Sequence, residues 1–379
     1  MIKGVVLDAE KNVPVPAASV FLSNTSIGTT ASVQGTFELS VPNGKFDLIV
    51  SSVGFETFNQ TIITTDIADF ITIRLKPKQN ELENVIIEPY EKDGWEKWGK
   101  FFTDMFIGNA ANAMECKIKN TEVIHFRNSK KTNELIVIAD EPLVIENKAL
   151  GYQVRYQLEG FSYDFKTHYL FYFGYPFFED LKGSAARKKH WANKRSDAYY
   201  GSMMHFMRAV YRNTLAAEGF EVRHLKKIPN LEKQRVKALY AQRVSTSGKT
   251  ISLTKENTDS TDYYNRILRG PDVNNVIGRN LLPGDSIAGA LDSVTAVLDF
   301  NDYLLIIYTK KLAAPEYVRQ NPDAGTAMAS QITLLNNRPI EIQANGSYYS
   351  PTDLLHTGYW SWSEKIASML PFDYHPPKK

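Results

Sequence analysis

The stretch from Gly4 to Leu75 constrains the fold most. Short β-favouring runs, such as Val5-Val6-Leu7, Ser19-Val20-Phe21-Leu22 and Phe46-Asp47-Leu48-Ile49-Val50, alternate with Gly, Pro and Asn turns. That pattern specifies a small antiparallel sandwich. Phe37/Leu39/Val41 and Phe46/Leu48/Val50 each place alternate side chains on one face of a strand. Between them Pro42-Asn43-Gly44 reads as a hairpin connection: Pro ends one strand, and Asn and Gly accept a positive φ. Gly35 is assigned the same role before Phe37.

These pieces occur in a telling order. Gly4-x-Val6-x-Asp8 opens, then come Pro16-x-Ala18-x-Val20-x-Leu22, Gly35-x-Phe37-x-Leu39, Pro42-x-Gly44 and Val53-Gly54-Phe55-Glu56. The order resembles the carboxypeptidase-regulatory-like domain, a transthyretin-like β-sandwich of Bacteroidota cell-envelope proteins. The resemblance implies a domain without catalytic residues of its own and an extracytoplasmic place, periplasmic or outer-membrane associated. Met1 leads almost at once into the first strand, so it also implies an export signal already removed. Lys76-Pro77-Lys78-Gln79-Asn80-Glu81 is polar and without apolar period, and reads as a linker. Leu82 to Pro89 reads as a short strand, similar to a segment that follows this domain in outer-membrane transporters. The expected division is a sandwich over 1–77, linker and strand over 78–92, and an α+β domain over 93–379. Limited proteolysis is expected to cut between Lys76 and Glu83; resistance there, with cleavage elsewhere, would make the whole chain one unit.

The remainder is mixed. At 379 residues the chain has room for two or three domains with real cores. One cysteine, Cys116, excludes an internal disulfide framework, and no apolar run reaches the roughly 18 residues of a membrane-spanning helix. Trp95, Trp98, Phe102 and Met105/Phe106 step by three and four, which predicts a helix over 93–106. From Asn120 to Phe178, β-rich runs separated by polar turns predict an antiparallel meander. Ser184 to Glu218 reads as helical, with an apolar face through Met203/Met204, Met207 and Val210, from which His205, Arg208 and Arg212 point away, and with Gly219 as its stop. A second helix is expected over 231–244. Strands follow over 294–298 and 303–308, then a hairpin of 328–335 with 339–343. An amphipathic helix over 359–370 closes the set, ended by Pro371. The fold class is β-rich: a transthyretin-like sandwich, then an α+β domain with antiparallel sheet and a few amphipathic helices.

Chemistry is sparse. None of His125, His168, His190, His205, His224, His356 and His375 is followed by a Glu or His at the three- or four-residue step of a zinc site, so no metal and no cofactor are expected. The protein should purify without stoichiometric zinc and keep its melting temperature in chelator; a loss of several degrees would overturn this. No nucleophile elbow, phosphate loop or dinucleotide fingerprint occurs, so no catalytic residue is assigned. Ser184 to Thr250 carries fifteen Lys or Arg and four Asp or Glu. Arg187, Lys188, Lys189, Lys194, Arg195, Lys226 and Lys227 form a candidate basic interaction surface. Tyr348, Tyr349, Tyr359, Trp360 and Trp362 form a candidate aromatic ligand surface. Asp-Ser-Thr or Asp-Ser-aliphatic tripeptides at Ser260, Ser286 and Ser293 resemble acceptors of Bacteroidota O-glycosylation, in a segment, 256–293, whose composition predicts an accessible loop. The expected function is non-enzymatic, through a protein partner in an envelope assembly. The alternatives are a glycan-binding protein using its aromatics and a hydrolase of unrecognised type; no nucleic-acid partner is expected.

Overall fold

The computed structural model describes residues 1–64, 66, 68, 70–78, 89–246 and 258–377, without the side chains of 240–246 and 258–261. The strand expected over Leu82–Pro89 lies, but for Pro89, outside the described residues.

Seven strands build the sandwich: β1 (Ile2–Asp8), β2 (Ser19–Leu22), β3 (Gly28–Thr30), β4 (Thr36–Leu39), β5 (Lys45–Ser51), β6 (Phe58–Ile63) and β7 (Phe70–Leu75). They form two sheets, β4-β1-β7 and β3-β2-β5-β6, closed on a core of Val6, Leu22, Phe37, Leu48, Val50 and Ile73. Alternation along β1 and β4 supplies one wall and β2 with β5 the other. Gly35 does make its turn at φ +73°, and a Cβ there would lie 2.5 Å from the Val6 carbonyl oxygen. Two details differ from the sequence reading. Pro42-Asn43-Gly44 is no hairpin, since β4 pairs with β1 while β5 pairs with β2. It carries the chain from one sheet to the other, as Greek-key connections do. The sandwich is also not wholly antiparallel: β7 runs parallel to β1, from Lys3 opposite Phe70 to Asp8 opposite Leu75.

A second core lies under α1 (Gly94–Phe106). Its sheet contains β8 (Cys116–Ile118), β9 (Ile124–Ser129), β10 (Glu134–Ala139), β11 (Leu143–Asn147), β12 (Tyr152–Asp164) and β13 (Tyr169–Asp180). The order is β8-β11-β12-β10-β9, with β13 on the far side of β12. This is the expected meander. The aromatic stripe of α1 faces it: Phe102 and Phe106 stack at 5.1 Å, both fully buried, and Phe106 meets Tyr156 edge-on at 5.0 Å.

α2 (Ala185–Tyr199) packs on this second core through Tyr199, and a third core gathers α3 (Met203–Tyr211), α4 (Leu215–Glu218), α7 (Pro315–Gln320) and α8 (Tyr359–Ser363) around two sheets, while α5 (Leu231–Thr246) and α6 (Thr258–Arg269) pack on each other outside it. The strands are β14 (Phe220–Pro229), β15 (Val273–Ile277), β16 (Ala288–Ala290), β17 (Thr295–Leu298), β18 (Tyr303–Leu312), β19 (Ala327–Leu334), β20 (Ile340–Gln343), β21 (Tyr348–Tyr349) and β22 (Leu354–Gly358). One sheet runs β15-β14-β18-β19-β22 and the other β16-β17-β20-β21. The hairpin expected across Asn336-Asn337-Arg338 therefore does not form, because β19 and β20 belong to different sheets. The 256–293 segment is not a plain loop either: it contains α6, β15 and β16, although most of its described residues are exposed. The closing helix is short. Glu364, at φ −82° and ψ 58°, ends α8, so Tyr359 and Trp360 enter the third core while Ile366 and Ala367 enter the second. One continuous helix would have kept them on a single face. Nor is α3 amphipathic in its surroundings: Met203 to Val210 are all buried, His205 and Arg208 included.

The tail after α8 ties the three cores. Ala367 N–H donates to Ile107 O at 3.1 Å, Phe372 N–H to Asn24 O at 2.7 Å, and Ser26 N–H to the Asp373 carboxylate at 3.0 Å. Arg208 holds the same tail from the third core, its guanidinium donating to Asn345 O at 2.8 Å, Phe372 O at 3.1 Å and Tyr374 O at 3.0 Å. No helix among the described residues is long and apolar enough to cross a membrane, which says nothing about strands.

Candidate functional site

The structure scatters the residues singled out in the sequence. In the basic set, Arg187, Lys188 and Lys189 are exposed on α2, and Lys226 is exposed on β14. Lys194 is half-buried. Lys227 lies over the Tyr303 ring at 4.0 Å. Arg195 is a structural staple rather than a free charge: it donates to Leu150 O at 2.7 Å, to Gly151 O at 3.0 Å and to Asp180 at 2.6 Å, and stacks 3.7 Å from the Tyr152 centroid. The aromatic set divides. Tyr359 and Trp360 are core, Trp360 only 2% exposed with its indole N–H on Gly201 O at 2.8 Å, so neither offers a ligand surface. Trp362 is half-buried against Tyr317 and donates to Gln320 at 3.0 Å. Ser286 and Ser293 are exposed, and the side chain of Ser260 lies outside the described residues. Cys116 is buried, its thiol pushed up to about 12 by desolvation, so it is no ready thiolate.

Tyr348 and Tyr349 do reach a cavity, a cleft of about 640 Å³. One wall is β13, from Tyr169 through Pro176; the opposite wall is β21 and Leu354 to Thr357 of β22. Met203 and Met204 at the start of α3 also line it, with Glu364 and Lys365 after α8. Each of these strands ends its sheet on that side, so the cleft opens where three sheet edges meet. A larger cavity, about 1280 Å³, lies at the seam between the sandwich and the third core, with Ser293 at its rim. The smaller cleft is the stronger candidate, because the perturbed ionisable groups converge there.

Burial pushes the Glu364 carboxyl up to about 7, against a smaller lowering by the Met203 backbone N–H that begins α3. Burial alone pulls the Lys365 ammonium down to about 8. His356 falls to about 4, chiefly by burial and further by the charge on Lys365; its Nδ1 is buried with no hydrogen-bond partner among the described residues. Burial raises the Tyr348 phenol to about 12, and Glu364 adds to that; Tyr172 is raised well beyond its ordinary range by burial. Lys365 Nζ stands 5.5 Å from the Tyr172 ring centroid. Tyr349 is held from the sandwich, its hydroxyl donating to Lys45 O at 3.3 Å while Lys45 pairs with Glu341. Neither Glu364 nor Lys365 is neutralised by an opposite charge among the groups acting on it. A carboxyl poised near neutrality, an amine with a low pKa and a ring of phenols can bind a polar ligand or move a proton.

Sequence reasoning missed Glu364, Lys365 and His356. Charged residues inside a presumed amphipathic helix read as its wet face. The only signal was their adjacency to the apolar Tyr359-Trp360 and Ile366-Ala367.

Among the described residues, no group of three or more His, Cys, Asp or Glu is placed to hold a metal ion. Residues 2–87 match the family model of the CarboxypepD_reg-like domain, a non-catalytic module. No curated protein matches the chain. A crystal structure from Bacteroides fragilis NCTC 9343, of a protein of unknown function provisionally called membrane-associated, is 9% identical in sequence. It covers 90% of this chain and 92% of its own at a TM-score of 0.17, a likeness too low to carry an argument.

Proposed function

We propose that this chain is a non-enzymatic binding protein of the cell envelope that seats part of a partner in the cleft between β13 and β22. One observation carries this: Glu364 and Lys365 line the same cavity half-buried, desolvated and with no opposite charge acting on either. Uncompensated buried charge is costly, so a fold retains it where a ligand completes it. The envelope assignment rests on the kind of protein that the domain at residues 2–87 resembles.

The test is native mass spectrometry of protein isolated gently from its own host. Wild type should carry an added mass that an E364Q/K365M variant lacks; identical bare masses in both would overturn the reading. A second reading, hydrolysis, is favoured by one fact, the Glu364 carboxyl at about 7, suited to general acid–base work near neutral pH. Under that reading wild type would hydrolyse the ligand and E364Q would leave it intact.

Compartment has its own check. Protein from the native host is expected to carry a glycan on Ser286 or Ser293, both exposed, and cytoplasmically expressed protein to carry none. The bare polypeptide mass from native envelope would count against it.

A further inference from the structure

We infer that the first half of β13 is an acceptor edge, onto which an extended peptide segment of a partner protein adds as a further strand. This deepens the reading of the cleft as a binding site and rests on it.

The edge is defined by backbone hydrogen bonds. On one side β13 pairs with β12 from Tyr169 to Asp180. On the other, only its far end is occupied. Asn24 N–H donates to Pro176 O at 2.7 Å and Phe178 N–H to Thr25 O at 3.0 Å, around a parallel bridge of Thr25 with Phe177. The outward groups thus belong to residues 176 and 178, and strand alternation turns those of Leu170, Tyr172 and Gly174 outward as well. No backbone partner meets them there among the described residues. Pro176 fits the same pattern, since a proline in a strand is tolerated where its missing N–H faces away from the ladder.

The cleft meets this edge side-on. Every residue from Tyr169 to Pro176 lines it, odd and even alike. A cavity over one face of the sheet would touch alternate residues only. Consecutive residues Leu354 to Thr357 of the opposite edge strand line it too. Edges left bare are normally blunted by Lys, Pro or bulges, yet Tyr169 to Tyr175 contains no Lys or Pro, and the irregularity in its pairing puts the extra residue on β12, between Leu158 and Gly160, not on β13.

The occupant follows from what flanks the edge. Asn24 and Thr25 already use the same line of acceptors, so an added peptide continues an existing pairing. Its side chains on one face would meet Phe171 and Phe173, themselves 5.7 Å apart, which favours aromatic or β-branched residues at alternate positions. On the other face stand Tyr172 and the unneutralised Lys365, which favour an acidic residue among the rest. This is strand addition, with backbone bonds giving affinity and alternate side chains giving specificity.

The test uses the full chain and a displayed library of random short peptides. A selected peptide should slow amide exchange at Leu170, Tyr172 and Gly174. N-methylation of its alternate amides should then weaken binding about 10- to 100-fold in one register and little in the other, as loss of a few net hydrogen bonds requires. Equal affinity in both registers, or protection elsewhere in the chain, would overturn strand addition. So would a selection that returns no peptide, while the native-mass comparison of E364Q/K365M still decides the cleft separately.

Discussion

Wild-type stability relative to an E364Q/K365M variant is expected to fall as pH rises from 4.5 to 7, and to recover from 8 to 10.5. The sign follows from which state holds the proton. Glu364 has an ordinary value of 4.5 and a folded value of about 7, so between the two the native chain binds more protons than the unfolded one. Stability then drops with pH, and the full cost is present above 7. Lys365 goes from 10.5 to about 8 on folding, so between those values the unfolded chain holds more protons and stability climbs; its cost is full below 8 and gone above 10.5. Each shift corresponds to about 3 kcal/mol at 1.36 kcal/mol per pKa unit. The trough between 7 and 8 therefore lies several kcal/mol below its shoulders. Denaturant midpoints for both proteins across this range read it directly, because groups that feel neither charge cancel in the difference and the effects passed on to His356 and Tyr348 are secondary to burial. Parallel curves would show that the two charges are already compensated in the free protein, and the reason to look for a ligand in the cleft would go with them.

The second large effect is at Arg208. Replacing it with Met should lower stability by about 3 kcal/mol, since three half-buried carbonyl acceptors lose their donor together. The loss is expected to be regional. Amide exchange should quicken over residues 366–375 and at Asn24 and Ser26, which the tail holds, while the centre of the sandwich stays protected. Arg208→Lys should recover only part, because one ammonium cannot reproduce a fork aimed at Asn345 on one side and Phe372 with Tyr374 on the other. An unchanged melting temperature with a still-protected tail would mean that Arg208 is dispensable to the strap.

What could be read in advance had a short-range signature. The alternation of Phe46, Leu48 and Val50, the three- and four-residue steps of Trp95 to Phe106, the meander from Val123 onward and the Gly219 stop are all written within a few neighbouring residues, and the structure has them. Partner choice was not legible. Pro42-Asn43-Gly44 and Asn336-Asn337-Arg338 each look like tight hairpins, yet each passes the chain between sheets, a decision made by packing far along the sequence. Burial of polar groups was equally hidden. His205 sits in the core because Gly201 N–H donates to its Nδ1 at 3.1 Å and Glu218 lies 3.1 Å from its Nε2; no local pattern announces such partners. The cleft is the extreme case, since its walls come from segments almost two hundred residues apart, and a charge facing a cavity is spelled like one facing water.

The strap formed by residues 366–375 follows, in chain order, every element it binds. A polypeptide made or translocated from its N-terminus therefore exposes the sandwich, the meander and α3 before the strap's hydrogen bonds to them exist. The sandwich can close on its own core and meet β13 through Asn24 and Thr25 early, but the bonds that Asn24 and Ser26 make to the strap wait for Phe372 and Asp373. Emergence from the N-terminus thus imposes an order on one joint: the bonds between the sandwich and residues 372–373 can form only after the latter have emerged.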